Sequence, residues 1–179
     1  MNTGAFDLED AQEHPLWAQE LYNPNDHTPE TEEYGVSSFV YLAREPFDPV
    51  KIHAFFNQEW PGVIRAKGFF WLSTRPDFVG EMSQAGAFVK HQGIGRWWDA
   101  IPRPQWPDGE QFEDVLRQYW TKDFGDRRQE IVFIGLKDQM DERAIRERLD
   151  GCLIEDYLGA KELYARIDDP FPKWFQETA

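Results

Sequence analysis

A single cysteine, Cys152, stands among 179 residues, so no disulfide can close within the chain and no cluster of thiolates can assemble around zinc. Its expected place is a helix face, as a small apolar side chain. Histidine is equally scarce. His14, His27, His53 and His91 lack the short, regular spacing from which preformed metal sites are built, and no metal ligand is assigned among them. No apolar run approaches the roughly 18 residues that would span a bilayer, and the first 34 residues contain no Lys or Arg, which removes the basic start of a secretory leader. The expected compartment is therefore the cytoplasm, with no membrane partner. A basic footprint is also missing: the formal net charge is −14, and phosphates demand the opposite sign, so no nucleic-acid partner is expected. No Ser/His/Asp or Cys/His set stands out from scatter, and adjacent carboxylates such as Glu32 and Glu33 follow from the acidity of the chain. No catalytic residue is assigned.

What the chain does have is core material. Eight Trp and fourteen Phe supply enough large apolar surface for one sizeable core in one domain with extensions. The charge is unevenly spread. Residues 1–34 hold nine acids and no Lys or Arg, residues 35–137 hold thirteen acids and thirteen bases, and residues 138–179 hold eleven acids and six bases. The middle of the chain is neutral and the excess lies in the flanks.

Residues 1–34 read as an acidic interdomain linker, with a helical signal from Leu8 to Leu21 followed by a run rich in Pro and Asx residues. A strand is expected over Val36 to Arg44, apolar on both faces. Asp48 followed by Pro49 predicts a capped helix running to about Gln58. The stretch Trp60 to Pro76 is the strongest strand signal, placing Arg65 and Lys67 on one face and Ile64, Ala66 and Gly68 on the other; Gly68 marks a bulge or a close backbone approach. Two short antiparallel strands should follow, over Phe78 to Gln84 and Ala87 to Gln92, the second broken at Gly93 and Gly95. A Pro-rich bend leads into a helix over about Glu110 to Trp120. The fifth strand is expected over Gln129 to Leu136, and a last helix over Asp141 to Leu153 with Cys152 on its apolar side. The fold class is α+β: one mixed, mainly antiparallel sheet of about five strands, with helices chiefly on one face, in the order β-α-β-β-β-(α)-β-α. The domain spans residues 35–154, and a tail of residues 155–179 docks on it through the aromatics around Phe171 and Trp174.

Four blocks carry a further signal: Glu33-Tyr34-Gly35-Val36-Ser37-Ser38-Phe39-Val40-Tyr41; Arg44 with Pro46-Phe47; the run from Trp60 to Pro76; and Gly125-Asp126-Arg127-Arg128-Gln129-Glu130-Ile131-Val132-Phe133-Ile134-Gly135. Together they resemble the C-terminal domain of the CobW family of GTP-dependent metallochaperones. Asn2 to Asp7 is similar to that family's exit from its GTPase domain, and Thr28 to Glu32 to its interdomain linker. A phosphate-binding loop needs Gly-x-x-x-x-Gly-Lys-Ser/Thr, and none of the thirteen glycines begins that pattern. The family's Cys-x-Cys-Cys metal motif cannot exist with one Cys. The resemblance thus implies the carboxyl-terminal part of a longer protein, no enzyme in itself. That parent would use GTP and Mg, with zinc as the metal delivered. The implied partners are a covalently linked GTPase domain and a client metalloprotein.

Arg65, Lys67, Arg127 and Arg128 form the candidate interaction surface, on the expectation that the second and fifth strands are neighbours and gather the four bases together. Trp97, Trp98, Trp106 and Trp120 read as a small core beneath the helical excursion. Two other readings stay open: a free-standing binding module using the aromatic-rich face, whose mark would be an apolar pocket lined by Trp, and a homo-oligomerisation module.

Overall fold

A computed structural model describes residues 35–175; the linker and helical signal assigned to residues 1–34 lie outside the described residues. The elements are β1 (Val36–Ala43), α1 (Pro49–Phe56), β2 (Val63–Phe70), β3 (Phe78–Ala85), β4 (Phe88–Arg96), α2 (Glu110–Tyr119), β5 (Gln129–Leu136), α3 (Glu142–Asp150) and the single turn α4 (Lys161–Tyr164). Local chemistry sets the helix starts. The Asp48 carboxylate accepts the backbone N–H groups of Val50 and Lys51 at 2.9 and 3.1 Å, satisfying donors that have no partner within α1, and Pro49 opens the helix. Asp141 accepts from the Ala144 N–H in the same way.

The five strands form one sheet in the order β1-β5-β2-β3-β4, and every ladder is antiparallel. β1 and β2 run parallel to one another but do not touch, because β5 lies between them, which makes β1-α1-β2 a split β-α-β unit. A bridge from Phe47 to Leu72 is the one parallel pairing among the described residues. This is the α+β fold read from the sequence, with β2 at the middle of the sheet.

Alternation sorts the side chains between two faces. Phe39 and Tyr41 of β1, Ala66 and Phe70 of β2, Met82 of β3, and Ile131 and Phe133 of β5 meet Ile52, Phe55 and Phe56 of α1 and Ile145 and Leu149 of α3 in the larger core. On the far face, Phe69, Trp71, Val79 and Val132 pack with Trp97, Ile154 and Tyr157 in a smaller one. The chain crosses from one face to the other where Leu153 bridges Phe47 and the Ile154 N–H donates to the Pro46 carbonyl. Ile154, Tyr157, Tyr164 and Ile167 lie on the far face. The last residues then return to the helix face, where Phe171 enters the larger core and Trp174 packs against it.

Three details depart from what the sequence predicts, and the Gly68 alternative is decided in favour of a close approach. The β2–β5 register slips between Val63 and Arg65. Val63 packs against the helix-side core and Ala66 lies within it, so the extra residue leaves Ile64 on the same face as Arg65 rather than with Ala66. At Gly68 no bulge is needed: a Cβ there would strike the Glu130 carbonyl and the Ile131 backbone, and the strand backbones approach too closely for any side chain. β4 does not break at Gly93 and Gly95 but continues to Arg96, absorbing Ile94 as an extra residue opposite Val79 and Gly80. Finally, α3 stops at Asp150, and Cys152 lies in the turn beyond it. There burial pushes its thiol up to about 11, leaving a small apolar filler and not a thiolate ligand.

Candidate interaction surface

The far face of the sheet is finished differently at its two ends. At the end where β5 begins, the helical excursion of residues 97–128 folds over it. Asp126 is buried, and its carboxylate accepts the N–H groups of Trp98 and Asp99, each at 2.9 Å, fixing the 3-10 turn Trp98–Ala100 against the sheet. Arg127 donates to the Pro76 carbonyl at 2.5 Å and pairs with Asp99 and, at 3.7 Å, with Asp77. Arg128 is 6% exposed. It pairs with buried Glu130, donates to the Asp126 carbonyl at 3.1 Å, and stacks 3.9 Å over the Tyr119 ring of α2. Arg44 of the β1–α1 connection reaches the same place, donating to the Tyr119 carbonyl at 2.7 Å. Burial, and then the charge of Arg128, lower its pKa, though a guanidinium stays charged throughout the ordinary range. Each charge here has partners, as a buried ionic cluster requires.

At the other end the face is open. Lys67 pairs with Glu81 of β3 at 3.0 Å, and the same carboxylate accepts from Gln92 of β4 at 3.0 Å. Arg65 is exposed. Around these bases lie apolar side chains that water reaches: Ile64 (47% exposed), Leu136 (36%) and, at the β3–β4 hairpin, Phe88 (85%). Exposed Lys90 stands opposite Ser83 on β4. Large apolar groups grouped with bases on an open sheet face are the composition of a contact surface.

β2 and β5 are neighbours, but the four candidate bases do not gather. Arg65 lies opposite Ile134 and Lys67 opposite Val132, whereas Arg128 precedes β5; at about 3.3 Å per residue the two pairs are separated by roughly 20 Å along the strand. Arg65 and Lys67 sit at the open end. Arg127 and Arg128 are the staple of the closed end.

Two further groupings take shape. Trp98, Trp106, Phe112 and Trp120 pack on one another through tilted and edge-to-face contacts with centroids 4.9 to 6.2 Å apart, and Arg103 lies 3.9 Å over Trp106. These half-buried rings pack on each other within the excursion, whereas Trp97, grouped with them from sequence, belongs instead to the far-face core with Phe69 and Trp71. His53 and His91, which spacing kept apart, meet with ring centroids 6.0 Å apart across α1 and β4. Only the pairing of β4 with β3 and the seat of α1 bring them together, and no local signal in the sequence announces it. Among the described residues no three His, Cys, Asp or Glu side chains converge as metal ligands, and no helix is long and apolar enough to cross a membrane.

The profile of the cobalamin synthesis protein cobW C-terminal domain matches residues 36–153, the span from the first residue of β1 to the crossing at Leu153. Zinc-regulated GTPase metalloprotein activator 1 of Dictyostelium discoideum is 35% identical over 175 residues, 95% of this chain and 36% of that protein. Zinc chaperone Rv0106 of Mycobacterium tuberculosis is 29% identical over 148 residues, 79% of this chain and 36% of that protein. The chain spans about a third of the length of these curated relatives. Among solved structures, the Zn(II)-bound YjiA GTPase from E. coli aligns over 72% of this chain and 33% of its own, at 16% identity and a TM-score of 0.45.

Proposed function

Since the chain belongs to the cobW C-terminal domain family, we propose that it is the interaction and regulatory domain of a GTP-dependent metal chaperone, with zinc as the delivered cargo. The nucleotide chemistry belongs to a linked GTPase domain, since this sequence contains no phosphate-binding loop. The sheet domain reports the state of that GTPase by changing which surface it presents to the GTPase or to a client metalloprotein. Its contact surface is the open end of the far face, where Arg65 and Lys67 stand among Ile64, Leu136 and Phe88.

The observation that carries this reading is the asymmetry of one sheet face. The closed end is covered by the chain's own excursion and tail, while the open end keeps apolar side chains and Arg65 in water beside the start of β1. Residues 1–34 enter β1 at that same end, since Val36 pairs with Leu136. A domain linked through them is tethered close to the surface, which raises its effective concentration there.

The test is Arg65→Ala, alone and with Lys67→Ala, in the full-length parent. Association of the two domains, client binding and GTP turnover are measured at low and physiological salt. Arg65→Ala is expected to lower one of these by about two- to tenfold, with a weaker salt dependence, as removal of a rim charge does. If all three are unchanged in both variants, the surface is not the contact.

A further inference from the structure

The final residues of the described chain are held as a strap. After the far face, the chain rounds the β2–β3 loop, where Arg75 grips it: the guanidinium bonds both oxygens of Asp169 at 2.7 and 2.9 Å and the carbonyls of Phe171 and Pro172 at 2.7 and 2.8 Å. Thr74 adds a hydroxyl bond to the same carboxylate. Trp174 then lies under Arg75, 4.6 Å from ring centroid to guanidinium, in a cradle over Gly80 and Gly93 where a Cβ at either position would collide with the indole. Phe175 packs on Phe78. These contacts fill a groove on the helix face beside β3 and β4, reaching beyond the residues matched by the family profile.

Phe171 is the strap's deepest side chain, 4% exposed. Besides Phe56 and Phe70, it meets two imidazoles edge-on, His53 at 5.1 Å and His91 at 4.8 Å. The His91 ring is enclosed on the side of Nδ1, a buried atom without a hydrogen-bond partner among the described residues. A proton placed on His91 would put positive charge on a partly buried ring, one of whose nitrogens water does not reach, with the His53 ring and Arg75 already close.

We infer that residues 169–175 form a proton-operated latch: while His91 is neutral Phe171 stays seated against its ring and that of His53, and charging His91 drives the strap off the sheet and opens the groove beneath it. The charged and titratable groups concerned come from every element packed there: His53 from α1, His91 from β4, Arg75 from the β2–β3 loop and Asp169 from the strap, already committed to Arg75. Burial first, then His53 and Arg75, hold the His91 pKa below its ordinary 6.5, while a contact with its own backbone works the other way. The seated state therefore binds fewer protons than the released one. Seating is fully favoured above pH 6.5, the ordinary value, and is progressively lost as the pH falls below it.

Hydrogen–deuterium exchange of the whole chain tests this, with rates normalised for the intrinsic pH dependence of exchange. Pro170 and Pro172 carry no N–H, so the reporters are the amides of Phe171, Lys173 and Trp174. Their normalised exchange should rise by up to about tenfold per pH unit below 6.5, with β5 unchanged. In His91→Phe the rise should disappear. A flat wild-type profile, or a His91→Phe profile equal to that of wild type, overturns the latch. Should His91→Phe not fold, imidazole titration by NMR tests the same coupling: His91 titrates below 6.5 in the wild type and returns toward 6.5 in Phe171→Ala. An unchanged His91 titration in Phe171→Ala overturns the latch as well.

Discussion

The two ends of the far face are built from the same ingredients, bases and apolar side chains on neighbouring strands, and are finished in opposite ways. At the closed end, Arg127 and Arg128 are withdrawn from water and saturated with carboxylates, carbonyls and an aromatic ring. At the open end, Lys67 shares one carboxylate with Gln92 and Arg65 faces solvent. A buried charge is tolerated only when all its partners are supplied, and it then holds a particular arrangement in place. A solvated charge contributes little to folding and remains available to another surface. The first pair fixes where the excursion sits, and the second is the pair to examine for contact.

Substitutions should separate the ends by size of effect. Arg128→Ala leaves Glu130 buried without its partner and should cost about 3–5 kcal/mol, read as a fall in the urea midpoint. The double change Arg128→Met with Glu130→Gln should recover a large part of that loss; failure to recover it would mean that the staple acts through packing on Tyr119 and not through charge. Asp126→Ala strips the acceptor from two backbone donors, Trp98 and Asp99, and should cost about 1–3 kcal/mol, with faster amide exchange confined to residues 97–106. Lys67→Ala removes a half-buried pair and should cost no more than about 1 kcal/mol. Arg65→Ala should leave stability within about 0.5 kcal/mol of wild type. If Arg65→Ala destabilised as much as Arg128→Ala, the distinction between the two ends would be lost.

Much of the fold was legible because it rests on local signals. The β5 bounds follow from a run of β-branched and aromatic residues, and α1 begins where Asp48 and Pro49 say it should. What escaped was set by partners remote in sequence. The bulge that carries Ile64 to the Arg65 face exists only in the register with β5, and the continuation of β4 through Gly93 and Gly95 depends on β3 and on the indole of Trp174 above it. Alternation within one strand contains neither fact. The candidate site divided in the same way. Arg65 and Lys67 were readable as bases on a strand face, whereas the burial of Arg127 and Arg128 depends on Glu130, Asp99 and Tyr119 arriving from three directions. The meeting of His53 with His91, far apart in the chain, is of the same kind.

The insertion of β5 between β1 and β2 also sets a timetable. β5 is the last strand of this sheet to be synthesised and yet joins its two parts, so β1 and the β2-β3-β4 meander have no common partner until residue 136 has been made. On a ribosome adding about 5–20 residues per second, more than half of the domain must wait, with Phe39, Phe70 and Phe56 unburied. The pairings of β1 and β2 with β5 span most of the domain, and such long-range closure slows folding. A nascent chain stalled before Gln129 should therefore remain protease-sensitive throughout, and resistance should arrive in one step once β5 and α3 have cleared the exit tunnel.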